Sequence, residues 1–167
     1  MPEVRPFDPE RLVRVLAEHG VEYVMVGALA ARLQGFPRMT ADLDITPSEA
    51  PENLERLASA LRVLDARVFT DGIPEGLTFD CSARTLANGR LWNLVTDSGR
   101  LDVVFVPAGT DGYPDLRASA VTFEAFGVRL EVAVLQDILR SKEASDRPQD
   151  RQDVAVIRAM LARDKTP

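Results

Sequence analysis

Apolar positions in the first half of the chain change from helical period to alternation and back. Asp8 and Pro9 open a helix as N-cap and first-turn residue, Leu12, Val13, Leu16 and Ala17 form its apolar stripe, and Gly20 stops it. Residues 21–26 (VEYVMV) read as a strand, Gly27 as a turn, residues 28–33 as a short helix, and Gly35-Phe36-Pro37 as a break. A second strand follows, carrying Asp42 and Asp44. Strand side chains alternate between faces, so the two carboxylates point one way while Leu43 and Ile45 point into the core. Thr46-Pro47-Ser48 reads as a turn. Residues 51–64 return to helical spacing through Leu54, Leu57, Ala58, Leu61 and Leu64.

Residues 65–87 carry the weakest pattern: Gly72, Pro74 and Gly76 indicate loop, and residues 77–82 a short strand. A hairpin is clearer beyond them, with strands at residues 90–96 and 100–106 around the turn Asp97-Ser98-Gly99. Residues 107–112 form a loop and 113–119 a short helix. Residues 121–126 and 128–132 form a second hairpin turning at Gly127. The last third is helical, with one stripe at Leu135, Ile138 and Leu139 and another at Val154, Ile157, Met160 and Leu161. The break between them runs from Ala144 to Pro148. No repeat or low-complexity tract interrupts the chain.

A length of 167 residues predicts one domain, 1–167, divided into an α/β core (1–133) and a C-terminal helical segment (134–167). The longest apolar run, residues 21–33, is broken by Glu22 and Arg32, which excludes a membrane span there. The start, MPEVRPFDPE, has no apolar signal core, and Cys81 is the only cysteine; both point to a cytoplasmic protein without an internal disulfide. The formal net charge of −6 argues against coating nucleic acid, DNA included, by general electrostatics. Residues 134–167 hold seven Lys or Arg against six Asp or Glu, so the acidity lies in the first 133.

Candidate chemistry centres on Asp42 and Asp44, a pair suited to a metal. Fifteen Asp in 167 residues give roughly one Asp-x-Asp by chance, so the pair gains meaning from its surroundings. A strand ends in Gly27, a helix opens at Ala28, and the acidic strand follows with Arg38 and Thr40 leading into it. Gly27 permits close approach of a ligand, and free N–H groups at Ala28 suit phosphate oxygens. Phosphate on one side and a divalent metal on the other suit nucleotide transfer. Asp102 stands among Leu101, Val103, Val104, Phe105 and Val106, where a lone carboxylate is costly unless paired or bound to a cation; an edge strand with Asp102 in water is the alternative. Lys142, Arg147, Asp150 and Asp153 fit either a site or an ordinary salt-bridged helix pair. His19 reads as a helix cap and Asp80 as a solvated turn residue.

Together these pieces resemble the polymerase-beta-type nucleotidyltransferases, and more narrowly the AbiE-type and MenT-like toxin nucleotidyltransferases of bacterial toxin-antitoxin systems. The resemblance runs from about Val21 to Leu161. It is carried by Gly27-Ala28, by Arg38-Met39-Thr40-Ala41-Asp42-Leu43-Asp44, by Asp102 within Gly99-Arg-Leu-Asp-Val-Val, and by Asp137, Ile138, Lys142, Arg147, Pro148, Asp150 and Asp153. Ala28 departs from the Gly or Ser usual at its position.

The resemblance implies an α/β (α+β) polymerase-beta-like core, a mixed sheet flanked by helices, with a C-terminal helical segment completing the site. It implies transfer of an NMP from an NTP to an acceptor hydroxyl, with Asp42, Asp44 and Asp102 holding Mg²⁺ or Mn²⁺. Gly27, Ala28, Arg38, Thr40 and Lys142 would contact the nucleotide; Lys142 would offset triphosphate charge, and Asp150 would orient Lys142 or the nucleotide. By the same resemblance the acceptor is the tRNA 3′ end and the partner a cognate antitoxin. Transfer to a small molecule such as an aminoglycoside or to a protein, and a non-catalytic nucleotide- or partner-binding module, are the alternatives.

Overall fold

Among the described residues eight strands form one mixed sheet: β1 (Tyr23–Val26), β2 (Asp42–Pro47), β3 (Arg67–Thr70), β4 (Ile73–Leu77), β5 (Leu91–Thr96), β6 (Gly99–Val104), β7 (Val121–Ala125) and β8 (Val128–Val132). Their order across the sheet is β4-β3-β5-β6-β2-β1-β8-β7. The computed structural model describes residues 5–166; residues 1–4, on which part of the expectation about the chain's start falls, and residue 167 lie outside them. Among the described residues seven helices flank the sheet: α1 (Pro9–Glu18), α2 (Gly27–Leu33), α3 (Pro51–Val63), α4 (Ala83–Asn88), α5 (Tyr113–Ser119), α6 (Leu135–Ser145) and α7 (Pro148–Asp164). This is the mixed architecture with a C-terminal helical segment that the sequence predicts. Among the described residues no helix is long and apolar enough to cross a membrane.

Register fixes what each face carries. β1 runs antiparallel to β2 with Val26 opposite Asp44, and β2 runs parallel to β6 with Asp42 opposite Arg100 and Asp44 opposite Asp102. On the reverse face Leu43, Ile45, Leu101 and Val103 are fully buried, as a period of two requires. α1, α3 and α4 cover that face: α1 packs on α3 and α3 on α4, and the Trp92 indole N–H donates to the Leu86 carbonyl of α4. Leu12 and Leu16 of α1 and Leu57 and Leu61 of α3 are fully buried there, each worth roughly 1.5–3 kcal/mol on removal from water. α5, α6 and α7 lie on the side of the carboxylates, α6 against α7 and α2.

Several sequence expectations change. α1 buries Val15 rather than Ala17, which is exposed. β1 starts at Tyr23, two residues later than expected. Thr46 and Pro47 are the end of β2, paired with Val24 and Tyr23, and not a turn. Gly72, Pro74 and Gly76 belong to a β3–β4 hairpin rather than a loop, while residues 78–82 are irregular and only Leu77 of the expected strand is extended in the sheet. β4 lies at the sheet edge, where a proline lacking an N–H is tolerated. Asp80 accepts from Ser82 and Thr85 at the solvated start of α4, and the His19 ring is 2.8 Å from the Val15 carbonyl, both as expected.

Candidate active site

The site begins with the sheet register. β2 and β6 lie side by side and place Asp42, Asp44 and Asp102 on one face, where one oxygen from each lies within 4.8 Å of the others. β6 is paired on both sides, with β5 and β2, so the edge-strand alternative for Asp102 does not hold. Its side chain is 15% exposed and sits 3.4 Å from Arg100 Nη2. Thr40 donates its hydroxyl to Asp42 Oδ1 at 2.6 Å and so orients that carboxylate.

Gly27 closes the other side. Its φ is +73°, and a Cβ there would meet Asp44 Oδ2 at 2.3 Å. No side chain could occupy that position while Asp44 keeps its place. β1 therefore turns directly into α2 beneath the carboxylate. The helix start at Val26 has no side-chain cap, which leaves its first N–H groups free of that kind of partner.

Burial, and next the charges of Asp42 and Asp102, push the Asp44 carboxyl up to about 8; Lys142 opposes them. Burial also raises Asp102, against the pull of Arg100. Three clustered carboxylates in so little water are unfavourable as anions unless a cation joins them. Hard oxygen donors from three carboxylates suit Mg²⁺ or Mn²⁺. The donor set thus fits a divalent metal.

Facing the carboxylates is a charged network on α6 and α7. Lys142 Nζ lies 3.4 Å from Asp150 Oδ1 and 3.0 Å from Asp153 Oδ2. Asp153 Oδ2 also takes Arg38 Nη2 at 3.0 Å, tying the segment before β2 to α7. Asp150 accepts from Arg147 Nε at 2.9 Å and from the Ser145 hydroxyl. Burial raises the Asp150 carboxyl, but Arg147, Ser145 and Lys142 outweigh it and bring it down to about 2. The two carboxylates are 1% and 3% exposed, so this is more than the surface ion pair of two exposed helices.

A cleft of about 500 Å³ joins the two halves, lined among others by Gly27, Ala28, Arg38, Thr40, Asp42, Asp44, Asp102, Lys142 and Asp150. All nine site residues expected from the sequence thus face one cavity, within the range of small-molecule sites. Arg147, which the sequence offered as either a site group or part of a helix salt bridge, lines the cleft too; sequence reasoning left out Ser141, Ser145 and Thr110 and an aliphatic wall of Leu91, Val104, Leu116 and Ile138. One signal was available: Ile138, Ser141, Lys142 and Ser145 repeat at i, i+3, i+4 and i+7, a single helical stripe. Asp137 reaches the same cleft but is taken up by Ser119 and Arg140.

No family model matches the chain. No curated protein matches it. Among solved structures it is similar to a crystal structure of a proposed nucleotidyltransferase from Thermotoga maritima, at 18% identity over 98% of this chain and 99% of that one, with a TM-score of 0.48.

Proposed function

We propose that the protein is a metal-dependent nucleotidyltransferase, which moves a nucleoside monophosphate from an NTP to an acceptor hydroxyl. The observation that carries this reading is the convergence of Asp42, Asp44 and Asp102 at the floor of a cleft whose other wall is cationic. A divalent cation, when bound by these three, supplies charge neutralisation to the oxygens of the transferring phosphoryl group. The rest falls to the chain itself.

Gly27 and Ala28 hold phosphate oxygens through backbone N–H groups at the uncapped start of α2. Lys142, with Asp150 and Asp153 fixing its ammonium, and Arg38 offset the charge of the triphosphate. The acceptor oxygen attacks the α-phosphorus, the bond to the β-phosphate oxygen breaks, and pyrophosphate leaves; the hydroxyl proton passes to Asp102. Thr40 keeps Asp42 in one orientation during this step. The aliphatic wall of Leu91, Val104, Leu116 and Ile138 packs against the nucleoside.

The resemblance to the AbiE-type and MenT-like enzymes extends the proposal to the acceptor, the 3′ end of tRNA, and to a toxin held in check by a cognate antitoxin. Incubation with Mg²⁺, each radiolabelled NTP in turn and total tRNA tests it against an Asp42→Ala, Asp44→Ala control. Label on tRNA only with both aspartates intact is the expected outcome. Full activity of the control overturns the metal assignment. Mg²⁺-dependent NTP binding without labelled tRNA moves the acceptor to a small molecule or protein, or the chain to the non-catalytic class.

A further inference from the structure

We propose that the outer edge of β7 pairs with the β7 edge of a second copy of this chain, antiparallel and about a two-fold axis at Phe123, joining two sheets into one.

The two ends of the sheet are built differently. β4 carries Pro74, which has no N–H to offer, and its register against β3 slips between Val68 and Thr70. Such features blunt an edge against pairing with another chain. β7 (Val-Thr-Phe-Glu-Ala) has no proline, glycine or lysine, and its ladder with β8 is unbroken from Val121–Val132 to Ala125–Val128. On its other side it bonds to no main chain among the described residues. Val121, Thr122 and Glu124 are exposed and Phe123 is half-buried.

Turn geometry decides which groups face outward. Phe126 and Gly127 have φ of +56° and +75°, the two-residue turn whose flanking residues, Ala125 and Val128, form a hydrogen-bonded pair. Antiparallel pairs alternate, so Phe123–Leu130 and Val121–Val132 also exchange bonds, while Thr122 and Glu124 aim their N–H and C=O groups away from β8. Those groups set the register. An axis at Phe123 places Thr122 of one copy opposite Glu124 of the other, both outward-facing, and uses the whole strand. An axis at Glu124 would oppose like charges, and one at Thr122 would bring Glu124 against Ala120, which precedes the strand.

Side chains fit the same register. Glu124 lies opposite Arg129 on β8 and meets Thr122 across the new pairing, so no two carboxylates are opposed. Phe123, packed against the core, meets its own copy at the axis. The strand is complementary to itself, which selects a second copy over an unrelated segment. The axis stands perpendicular to the sheet, so both clefts open on the same face.

Sedimentation equilibrium of the full chain over a concentration series tests this. The parent protein is expected to pass from monomer to dimer and no further. Thr122→Pro removes one outward N–H where an edge strand tolerates proline, and weakens dimerisation by about tenfold or more because symmetry deletes the bond twice. A parent protein monomeric throughout, growth beyond a dimer, or a folded Thr122→Pro variant that dimerises like its parent overturns the proposal. Should Thr122→Pro fail to fold, Phe123→Cys and Val121→Cys in a Cys81→Ser background keep it falsifiable. Residues opposed at the axis lie about 4.5 Å apart at Cα, within disulfide range. Oxidation is therefore expected to cross-link Phe123→Cys and to spare Val121→Cys, which faces Ala125. No cross-link at position 123, or equal cross-linking at both positions, overturns the proposal.

Discussion

Gly27 and Asp44 occupy each other's space: a Cβ on the glycine would lie 2.3 Å from Oδ2 and 3.0 Å from the Cβ of the aspartate. Gly27→Ala therefore displaces the carboxylate besides straining a backbone at φ +73°. A loss of roughly 1–3 kcal/mol in stability is expected from the strained conformation, together with loss of transfer. Thermal melting and Mn²⁺ titration check it; a variant that binds Mn²⁺ like the parent protein refutes the coupling.

Asp44 makes the metal-free protein sensitive to pH. Its folded carboxyl titrates at about 8, whereas an unfolded aspartate titrates near about 3.9. Between those values the unfolded chain has released its proton and the folded one retains it, so stability falls as pH rises from roughly 4 to 8. Asp44→Asn removes this dependence and leaves the protein more stable than its parent at pH 8 in EDTA. Melting temperatures across that range, without divalent cations, decide it.

Thr40 acts through Asp42. Thr40→Val keeps the shape but deletes the hydroxyl that donates at 2.6 Å. An apparent Mg²⁺ affinity weaker by about 10–100-fold is expected, with Thr40→Ser restoring most of it. NTP transfer measured against Mg²⁺ concentration separates this from a simple loss of nucleotide binding.

The buried network is a matter of stability as well as chemistry. Lys142→Met removes the cation shared by Asp150 and Asp153, whose side chains are almost fully covered. Arg147 and Arg38 remain as partners, so a cost towards the lower end of about 3–5 kcal/mol is expected by denaturant titration. Asp150 adds an acid limit. Its folded carboxyl lies at about 2, below the unfolded value near about 3.9, so its stabilisation is complete above that value and is lost as pH falls towards 2.

The carboxylates were legible because period two puts Asp42 and Asp44 opposite Leu43 and Ile45, a pattern that survives folding unchanged. On α6 helical spacing made Ile138 legible, while Ser141 and Ser145 on the same stripe were passed over. β3 and β4 were not: Pro74 and Gly76 read as loop, yet Pro74 sits where an edge strand needs no donor. A Cβ on Gly76 would meet Arg67 Cβ at 2.9 Å, so that strand needs the residue that looks like a breaker. Thr40 bonding to Asp42 and the double duty of Asp153 depend on which elements meet, which no local spacing encodes. The cleft's aliphatic wall, drawn from β5, β6, α5 and α6, is invisible for the same reason.

The parallel pairing of β2 with β6 has a kinetic side. Asp44 and Asp102 become neighbours only when the chain from Ile45 to Leu101 has been gathered into a loop, a closure whose entropy must be met before the contact rewards it. The same event presses two carboxylates together. Repulsion therefore falls on the slowest kind of strand pairing, and a divalent ion held by these aspartates as proposed would relieve it, so refolding is expected to run faster in Mg²⁺ than in EDTA.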